Sequence, residues 1–444
     1  MTTRWVAAVV WMAACASGDG ADPTGQAPGD DDDTVGSPTV GDDDDDATAG
    51  GPTYWRDAEP VLARSCAGCH TAGDIGPFPL DDYASAASWA PAVATAIEAG
   101  TMPPWPPSDD CRPLLGDRSL PDADKATLLA WVEAGAPEGD PADAVSHPVE
   151  DAFVGDAEIA MVEPYTARPS TDDYRCFVMD WPPATDTFVT AFEVDPGRRE
   201  LVHHVIMSVV PPSDVADVEA QDAAEPGPGF ECYSFPPGSL LGSWVPGVRV
   251  VELPEGTGIH VAPGSKVVAQ IHYNTTATPD PEPDTTVIRF GLAPTVDIPA
   301  QGVALVDFRW LLPGGMEIPA GSTGVQVSGS MSGRLLAATA TDLGLGANES
   351  FRIHRVGLHM HTLGQSGGVR VHHADGAEEC ALEVPAWDFH WQGQYALEEP
   401  IVVAPNDDVE LWCRWDNAGP DAVDVQWGEA TSDEMCLSGL YITR

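Results

Sequence analysis

The pattern of apolar and polar positions divides the chain into a short helical region and a long β-rich region. Before residue 150, three segments carry helical patterning, at 54–65, 82–99 and 121–134. The last two stop at Gly100 and Gly135, and glycine commonly terminates a helix because it tolerates the left-handed conformation found there. The pattern predicts a small helical domain over residues 53–145.

From residue 151 onward the helical periodicity disappears, and short β-rich segments recur between turns rich in Pro, Gly and Asp. Many short strands at close spacing are typical of β-sandwiches. We therefore predict a mainly β fold with two tandem β-sandwich, jelly-roll-like domains at 150–295 and 296–444. The predicted strands are 187–194, 201–210, 266–273, 286–292, 324–328, 335–340, 350–359, 368–373, 401–404 and 409–415.

The first residues are typical of an export signal over 1–15. Arg4 precedes an apolar stretch, 5–14, that is too short to span a bilayer but has the length of a signal-peptide core. It ends at Cys15 in a sequence that resembles a bacterial lipoprotein cleavage site, although Met12 stands where Leu is usual. We expect lipidation of Cys15; the alternative is ordinary cleavage after a small residue. Either predicts export to the bacterial periplasm or cell surface, and the membrane contact expected is a lipid anchor only.

Acidic residues dominate the charge of the chain. The formal net charge is −50, and the Asp runs at 30–33 and 42–46 predict that residues 16–52 are a solvated, disordered linker. Lysine occurs only at Lys125 and Lys266. Without a basic stripe to neutralise phosphates, the chain is not expected to bind nucleic acid.

Cys66-Ala67-Gly68-Cys69-His70 has the C-x-x-C-H pattern of covalent c-type haem attachment. The two thiols, Cys66 and Cys69, would bind the haem vinyl groups, and His70 would be an axial iron ligand. A lone disulfide or a thioredoxin-like motif does not require the trailing His. Met102, followed by two prolines, suits the second axial ligand; the alternative is a packed core residue. Three helices around this motif are typical of a small mono-haem cytochrome c.

Six further residues are candidate metal ligands. Together they supply one site of three imidazoles and one of two imidazoles and a thioether. A thioether favours Cu(I), whereas imidazole holds both copper oxidation states, so this combination suits copper that changes oxidation state. The candidates are His203, His204, His272, His359, His361 and Met435.

Spacing leaves part of this assignment open. His359 and His361 are two residues apart, so on a strand their side chains leave the same face. His203 and His204 are adjacent, and a regular strand would point them to opposite faces. Either a bulge brings both to one metal, or one is a ligand and the other a buried structural residue. His272 or Met435 alone would be interpreted as structural.

The order of these residues, with Gln270 before His272 and Thr362-x-Gly364 after His361, resembles the copper type II, ascorbate-dependent monooxygenase family over residues 150–444. The resemblance implies two β-sandwich domains whose coppers face each other across an open cleft. It implies that the copper used for electron transfer is held by His203, His204 and His272. The copper at which dioxygen and substrate react would be held by His359, His361 and Met435. Residues 66–105 also resemble the cytochrome-like domains that precede such copper domains in some bacterial proteins.

The resemblance has consequences for other residues. It implies disulfides between Cys176 and Cys232 and between Cys413 and Cys436. Cys111 and Cys380 remain open: either they are free or they pair with each other. In peptide-amidating members an Arg that helps to hold the peptide carboxylate lies two residues before the first His of the His-x-His pair.

In this chain Gly357 occupies the position of that Arg, which argues against peptide amidation. Tyr441 is a candidate counterpart of a family Tyr that follows the Met, although the spacing is longer here. The remaining histidines are expected to be surface or structural residues: His147, His260, His354, His372, His373 and His390.

The sequence therefore predicts an exported copper-dependent monooxygenase with two copper ions and one c-type haem. It would hydroxylate a C–H bond of a small organic substrate with dioxygen. Electrons would come from an ascorbate-like reductant or a redox protein, through the haem and the second copper. The alternatives are a surface lipoprotein that binds copper or transfers electrons without oxygenase activity, and an adhesion lipoprotein with degenerate metal sites.

Overall fold

A computed structural model describes residues 51–147, 152–169, 172–232, 236–275, 278, 280–428 and 432–444. The predicted export signal, its Cys15 and almost all of the predicted linker at 16–52 lie outside the described residues. Within the described part of the chain, no helix combines the length and the apolar character needed to cross a bilayer.

The N-terminal part of the described chain is helical, as predicted. Asp82 caps the second helix by accepting a hydrogen bond from the Ser85 amide, and Gly100 and Gly135 adopt positive φ just after helix ends. The apolar faces of the helices form one shared core. After a π-helical turn at Tyr54–Ala58, the helices are α1 Glu59–Ser65, α2 Tyr83–Glu98 and α3 Asp122–Glu133.

The rest of the described chain is mainly β, which confirms that part of the predicted fold class. The strands are β1 Leu114–Leu115, β2 Ala157–Ala160, β3 Asp172–Asp180, β4 Thr187–Asp195, β5 Val202–Val210, β6 Phe230–Glu231, β7 Ser239–Trp244, β8 Val251–Glu252, β9 Thr257–Val261, β10 Lys266–Asn274, β11 Val287–Ala293, β12 Ile298–Leu305, β13 Glu317–Ile318, β14 Ser322–Ser332, β15 Phe351–Gly357, β16 Gly364–His372, β17 Glu378–Val384, β18 Gln394–Val403, β19 Asp408–Asn417, β20 Val425–Gln426 and β21 Ser438–Thr443.

Two helices depart from the prediction that helical structure ends at residue 151. They are α4, Val215–Ala223, and α5, Gly333–Thr339. The strand predicted at 335–340 is therefore wrong. The Ser332 hydroxyl accepts a hydrogen bond from the Leu335 amide and caps α5, and the Leu and Ala residues that follow favour a helix.

One ten-stranded sheet runs through both predicted copper domains, in the order β1-β18-β15-β21-β12-β9-β4-β11-β2, with β8 beside β4. The two halves join where β12 pairs in parallel with β9, from Ile298 opposite Thr257 to Ala300 opposite Ile259. A five-stranded sheet has the order β6-β3-β10-β5-β7, and a four-stranded sheet has the order β14-β19-β16-β17. The two halves share a continuous sheet, and the division into two tandem domains stays a prediction.

Two apolar cores lie between the large sheet and the smaller sheets. In the first, Phe192 and Phe290 of the large sheet cluster with Val205 and Ile271 of the five-stranded sheet. In the second, residues of β12, β15, β18 and β21 cluster with residues of the four-stranded sheet, including the fully buried Trp415. Each half of the long sheet is thus covered by its own smaller sheet.

Three disulfides join six of the eight described cysteines. Cys176–Cys232 and Cys413–Cys436 are the two pairings that the family resemblance implied. The third, Cys111–Cys380, joins the segment after α2 to β17. Close to it, β1 adds to the edge of the large sheet by pairing with β18. The helical region is therefore bonded to the β region by a covalent bond and a strand pair, in addition to the chain itself.

The Cys111–Cys380 bond closes a loop of 269 residues. Replacing both cysteines with Ser is expected to lower the free energy of unfolding by about 2–4 kcal/mol, because the unfolded chain regains the entropy that this cross-link removes. Urea denaturation followed by tryptophan fluorescence measures the change, and a C111A/C380A variant serves as the control for side-chain polarity. An unchanged transition midpoint would contradict this expectation.

Candidate metal centres

The first histidine cluster is built by a β-bulge. In the pairing of β5 with β10, His204 lies opposite His272, but the next pair is Val202 with Tyr273. His203 is therefore the extra residue on β5. A bulge redirects the side chain of the extra residue, so two adjacent histidines present their rings to the same side. Of the two alternatives that the spacing left open, the structure has the bulge.

The three rings of this cluster converge through their Nδ1 atoms. Nδ1 of His203 lies 3.3 Å from that of His204 and 3.2 Å from that of His272, and the remaining pair is 3.3 Å apart. All three side chains are buried. Three neutral imidazoles cannot satisfy one another at such a point, whereas a metal ion accepts all three lone pairs. The donor set and its geometry fit one metal ion.

Burial keeps these imidazoles neutral. It lowers the pKa of His203 to about 4 and lowers the pKa values of His204 and His272 well below the usual range. Metal ions bind the neutral form of imidazole, so the cluster needs no deprotonation before it binds a metal near neutral pH.

Hydrogen bonds to the opposite ring nitrogen orient the cluster. His272 Nε2 lies 2.8 Å from Asp172 Oδ1, so Nε2 carries the proton and Nδ1 carries the lone pair. The same ring stacks on Tyr174, with centroids 4.1 Å apart and planes 4° apart. A carboxylate partner of this kind fixes the tautomer and the orientation of a ligand.

The second cluster lies just beyond the end of β15. The strand predicted at 350–359 ends at Gly357, and His359 continues it only through a bridge to Leu437, with N–O distances of 2.8 and 3.0 Å. The rings of His359 and His361 lie on the same side, with centroids 5.1 Å apart. Met435 is buried two residues before Leu437, so the bridge brings the Met segment beside the two histidines.

The second cluster uses the opposite ring nitrogen. His359 Nδ1 lies 2.6 Å from Gln392 Oε1, and His361 Nδ1 lies 3.0 Å from the carbonyl oxygen of Asp433. Since Nδ1 donates in both rings, Nε2 carries the lone pair. Burial lowers the pKa of His359 to about 3. Two imidazoles and the Met435 sulfur form a donor set that fits copper.

A buried carboxylate that sequence reasoning missed supports this cluster. Glu434 accepts hydrogen bonds from the amides of His361 (2.9 Å) and Leu363 (2.6 Å) and from Trp415 Nε1 (2.8 Å). Burial raises its pKa to about 7. The next two residues are Met435 and the disulfide-bonded Cys436. One side chain thus connects the turn after His361 with the segment that carries the thioether.

One cavity connects the two clusters. Its lining includes His204 from the first cluster and His359, His361 and Met435 from the second. Tyr441 is not part of this lining. Its hydroxyl lies 2.8 Å from Thr257 Oγ1, inside the first apolar core.

The loop before β18 lies between the clusters, and no motif identified it. The buried ring of Phe389 lies 6.2 Å from the rings of both His272 and His361, measured between centroids. His390, predicted to be a surface or structural residue, places its ring 5.6 Å from that of His203. The pattern gave no signal because these contacts join residues that are distant in the sequence.

The haem-attachment motif occupies the turn after α1. Among the described cysteines, Cys66 and Cys69 are those not joined in disulfides. Burial raises the pKa of Cys66 to about 11. His70 Nδ1 lies 2.9 Å from the Phe78 carbonyl oxygen, so Nε2 carries the lone pair.

Two neighbouring thiols and an oriented imidazole fit covalent haem attachment. Gly76 lies close against the motif, since a Cβ there would be 2.6 Å from the Cys69 carbonyl oxygen. Met102 is half-buried after α2.

Comparison with known proteins supports a copper enzyme. Residues 314–443 match the model of the family described as copper type II ascorbate-dependent monooxygenase, C-terminal domain. This segment contains the second cluster and supports copper-dependent monooxygenase activity, hence an oxidoreductase. No curated protein matches the chain.

Solved structures similar to the chain include the infectious bursal disease virus VP2 subviral particle, at 10% identity over 68% of this chain and 75% of that one, with a TM-score of 0.17. Broad bean stain virus matches at 9% identity over 65% of this chain and 88% of that one, with a TM-score of 0.20. TM-scores this low do not show a shared fold.

Asp172→Asn is expected to weaken copper binding at the first cluster by about tenfold, because a neutral amide orients His272 less strongly than a carboxylate. Competition with a chelator measures the affinity for Cu(I). Asp186→Asn is the matched control, since Asp186 pairs with the exposed His260 on the surface. Equal affinities in the two variants would show that the carboxylate does not support the site.

Proposed function

We propose that the protein is an exported copper-dependent monooxygenase that hydroxylates a C–H bond of a small organic substrate with dioxygen. The observation that carries the proposal is the single cavity lined by imidazoles of both clusters and by the Met435 thioether. The family match over residues 314–443 supports the same class of reaction. An oxygenase needs a redox metal beside the space where substrate binds, and candidate ligands of both clusters line this cavity.

The two clusters are assigned different roles. His359, His361 and Met435 would hold the copper beside the substrate, and His203, His204 and His272 would hold a second copper. When bound, the two ions would activate dioxygen and supply the second electron of the reaction. Gln392 and the Asp433 carbonyl fix the histidine rings of the substrate-side site, and Asp172 fixes one ring of the other.

The cavity lining indicates the class of substrate. Apolar side chains from both halves, such as Ile206 and Leu437, lie beside amide side chains such as Gln270 and Gln394. The lining residues that the structure describes include no Lys, Arg, Asp or Glu. The cavity therefore favours a neutral, largely apolar substrate with a hydrogen-bonding group.

Export and haem attachment complete the proposal. Disulfides are typical of proteins from oxidising compartments, so the three bonds support export. Lipidation at Cys15 in a bacterial envelope would anchor the protein to the membrane. A c-type haem on Cys66, Cys69 and His70, with Met102 as second axial ligand, would pass electrons from an ascorbate-like reductant or a redox protein.

The first test is the metal and haem content of the protein, followed by the Met435→Ile variant. We expect two coppers and one haem per chain. Met435→Ile should abolish substrate-dependent oxygen consumption while the first cluster keeps its copper, because only the substrate-side site loses its soft ligand. Elemental analysis, a pyridine haemochrome assay and an oxygen electrode make the measurements. Zinc, or copper without oxygen consumption, would favour a metal-binding surface protein.

The second test concerns the haem. His70→Ala is expected to slow turnover with a protein electron donor strongly while leaving the copper content unchanged, since the axial ligand of the haem is removed. Turnover supported directly by ascorbate provides the control, because a small reductant can enter the cavity. Unchanged turnover with the protein donor would rule out a relay through the haem.

A further inference from the structure

The haem-attachment motif makes direct contact with the β region at one turn. The turn follows β7, and its Gly247 has a φ of +81°. A Cβ at Gly247 would lie 3.0 Å from Cys69 Sγ, and a Cβ at Gly68 would lie 3.7 Å from the Gly247 Cα. The second thiol of the motif is therefore packed tightly against the backbone of the turn at Gly247, and Gly68 lies within ordinary contact distance of the same turn.

Charged side chains hold this contact in place. The partly buried Arg118 directs its guanidinium to the carbonyl oxygens of Pro246, at 3.4 Å, and Pro104, at 3.5 Å. It thus connects the turn with the segment that follows α2. A second pair, Arg199 with Asp74 at 3.7 Å, joins the loop before β5 to the loop after His70.

The turn leads directly to the first histidine cluster. Trp244, three residues before Gly247, lies opposite Val205 in the pairing of β7 with β5, and Val205 follows His204 in the chain. Val245 lines the cavity together with His204. From Cys69 to His204 the path crosses one van der Waals contact, and all other steps follow the chain or a strand pair. Electronic coupling decays more slowly along such bonded steps than across gaps.

A competing path starts from the segment that follows α2. Trp105 packs edge-on against Tyr395, with ring centroids 5.4 Å apart. Tyr395 lies opposite Val356 on β15, which leads to His359. This contact does not involve either thiol of the attachment motif.

We propose that electrons pass from the helical region to the β region through the contact of Gly68 and Cys69 with Gly247. They then continue through Trp244 to the His203/His204/His272 cluster. The inference rests on the proposed function. One electron passes per transfer: a reduced c-type haem is oxidised, and Cu(II) on the three histidines becomes Cu(I). The electrons come from a one-electron donor, either an ascorbate-like reductant or a redox protein, and no bond of the chain changes.

The test measures electron transfer within the haem- and copper-loaded protein, without substrate and without oxygen. A photogenerated flavin semiquinone reduces the haem, and the decay of the reduced-haem absorbance reports transfer to copper. In the wild type this decay should be independent of protein concentration and should disappear after the copper is removed.

Two variants test the contact. Gly68→Leu puts a branched side chain against the turn at Gly247, and Arg118→Ala removes the hydrogen bond to Pro246 that holds the turn. Each is expected to slow the decay by about tenfold or more. Arg56→Ala is the matched control, because among the described residues the bonds of Arg56 lie within the helical region, to Asp57 and Gly51. It should leave the rate unchanged, as should Trp105→Leu. Haem content and haem reduction potential are measured for each variant, so that a change in driving force is recognised.

The outcomes separate this inference from the proposed function. If Trp105→Leu alone slows the decay, electrons enter through Tyr395 and the inference is wrong. If neither Gly68→Leu nor Arg118→Ala slows it, the contact is not the route. If the loaded wild type shows no decay, the relay itself fails, whereas oxygen consumption driven by ascorbate still tests the oxygenase. If the Gly68→Leu variant binds no haem, the decay rate of the Arg118→Ala variant tests the contact.

Discussion

The β-bulge at His203 is the feature on which the first metal cluster depends. The hydrogen-bond ladder of β5 and β10 is otherwise regular, and it buries apolar residues of both strands against the large sheet. Without the extra residue, the rings of His203 and His204 would leave opposite faces of the sheet. One would then enter the apolar core, where a polar ring without a partner is costly. The bulge therefore keeps a polar ring out of the apolar core and also brings three Nδ1 atoms together.

The histidine rings of the two clusters are oriented by hydrogen bonds to different ring nitrogens. In the first, the outer nitrogen of His272 reaches a carboxylate on the neighbouring strand, so Nδ1 faces the cluster. In the second, the nitrogen nearer to the backbone is held by Gln392 or by the Asp433 carbonyl, so Nε2 carries the lone pair. Glu434 and the Cys413–Cys436 bond then attach the Met435 segment to the same framework. His272, His359 and His361 are thus each held through a second group, which limits the rotation of their rings.

Local signals in the sequence predicted much of this arrangement. The helices ended close to their glycines, most long strands lay within a few residues of their predicted positions, and the adjacent histidines pointed to a bulge as one of two alternatives. The strand predicted at 335–340 was wrong. Its apolar residues also fit a strand, but the Ser332 cap stabilises a helix there. Other features were beyond local reasoning because they depend on pairing between distant residues. These include the shared ten-stranded sheet, the position of Phe389 between the clusters, and the choice of Cys380 as the partner of Cys111.

The helical region is bonded to both halves of the β region. Cys111–Cys380 and the pairing of β1 with β18 fix it to the half that carries the second cluster. Arg118 and the contact at Gly247 fix it to the half that carries the first. The halves themselves are joined by the pairing of β9 with β12. A region attached at both sides of a junction resists relative motion of the two halves, because opening would break contacts on one side or the other. The spacing between the attachment motif and the histidines is therefore set by packed contacts and not by the length of a linker.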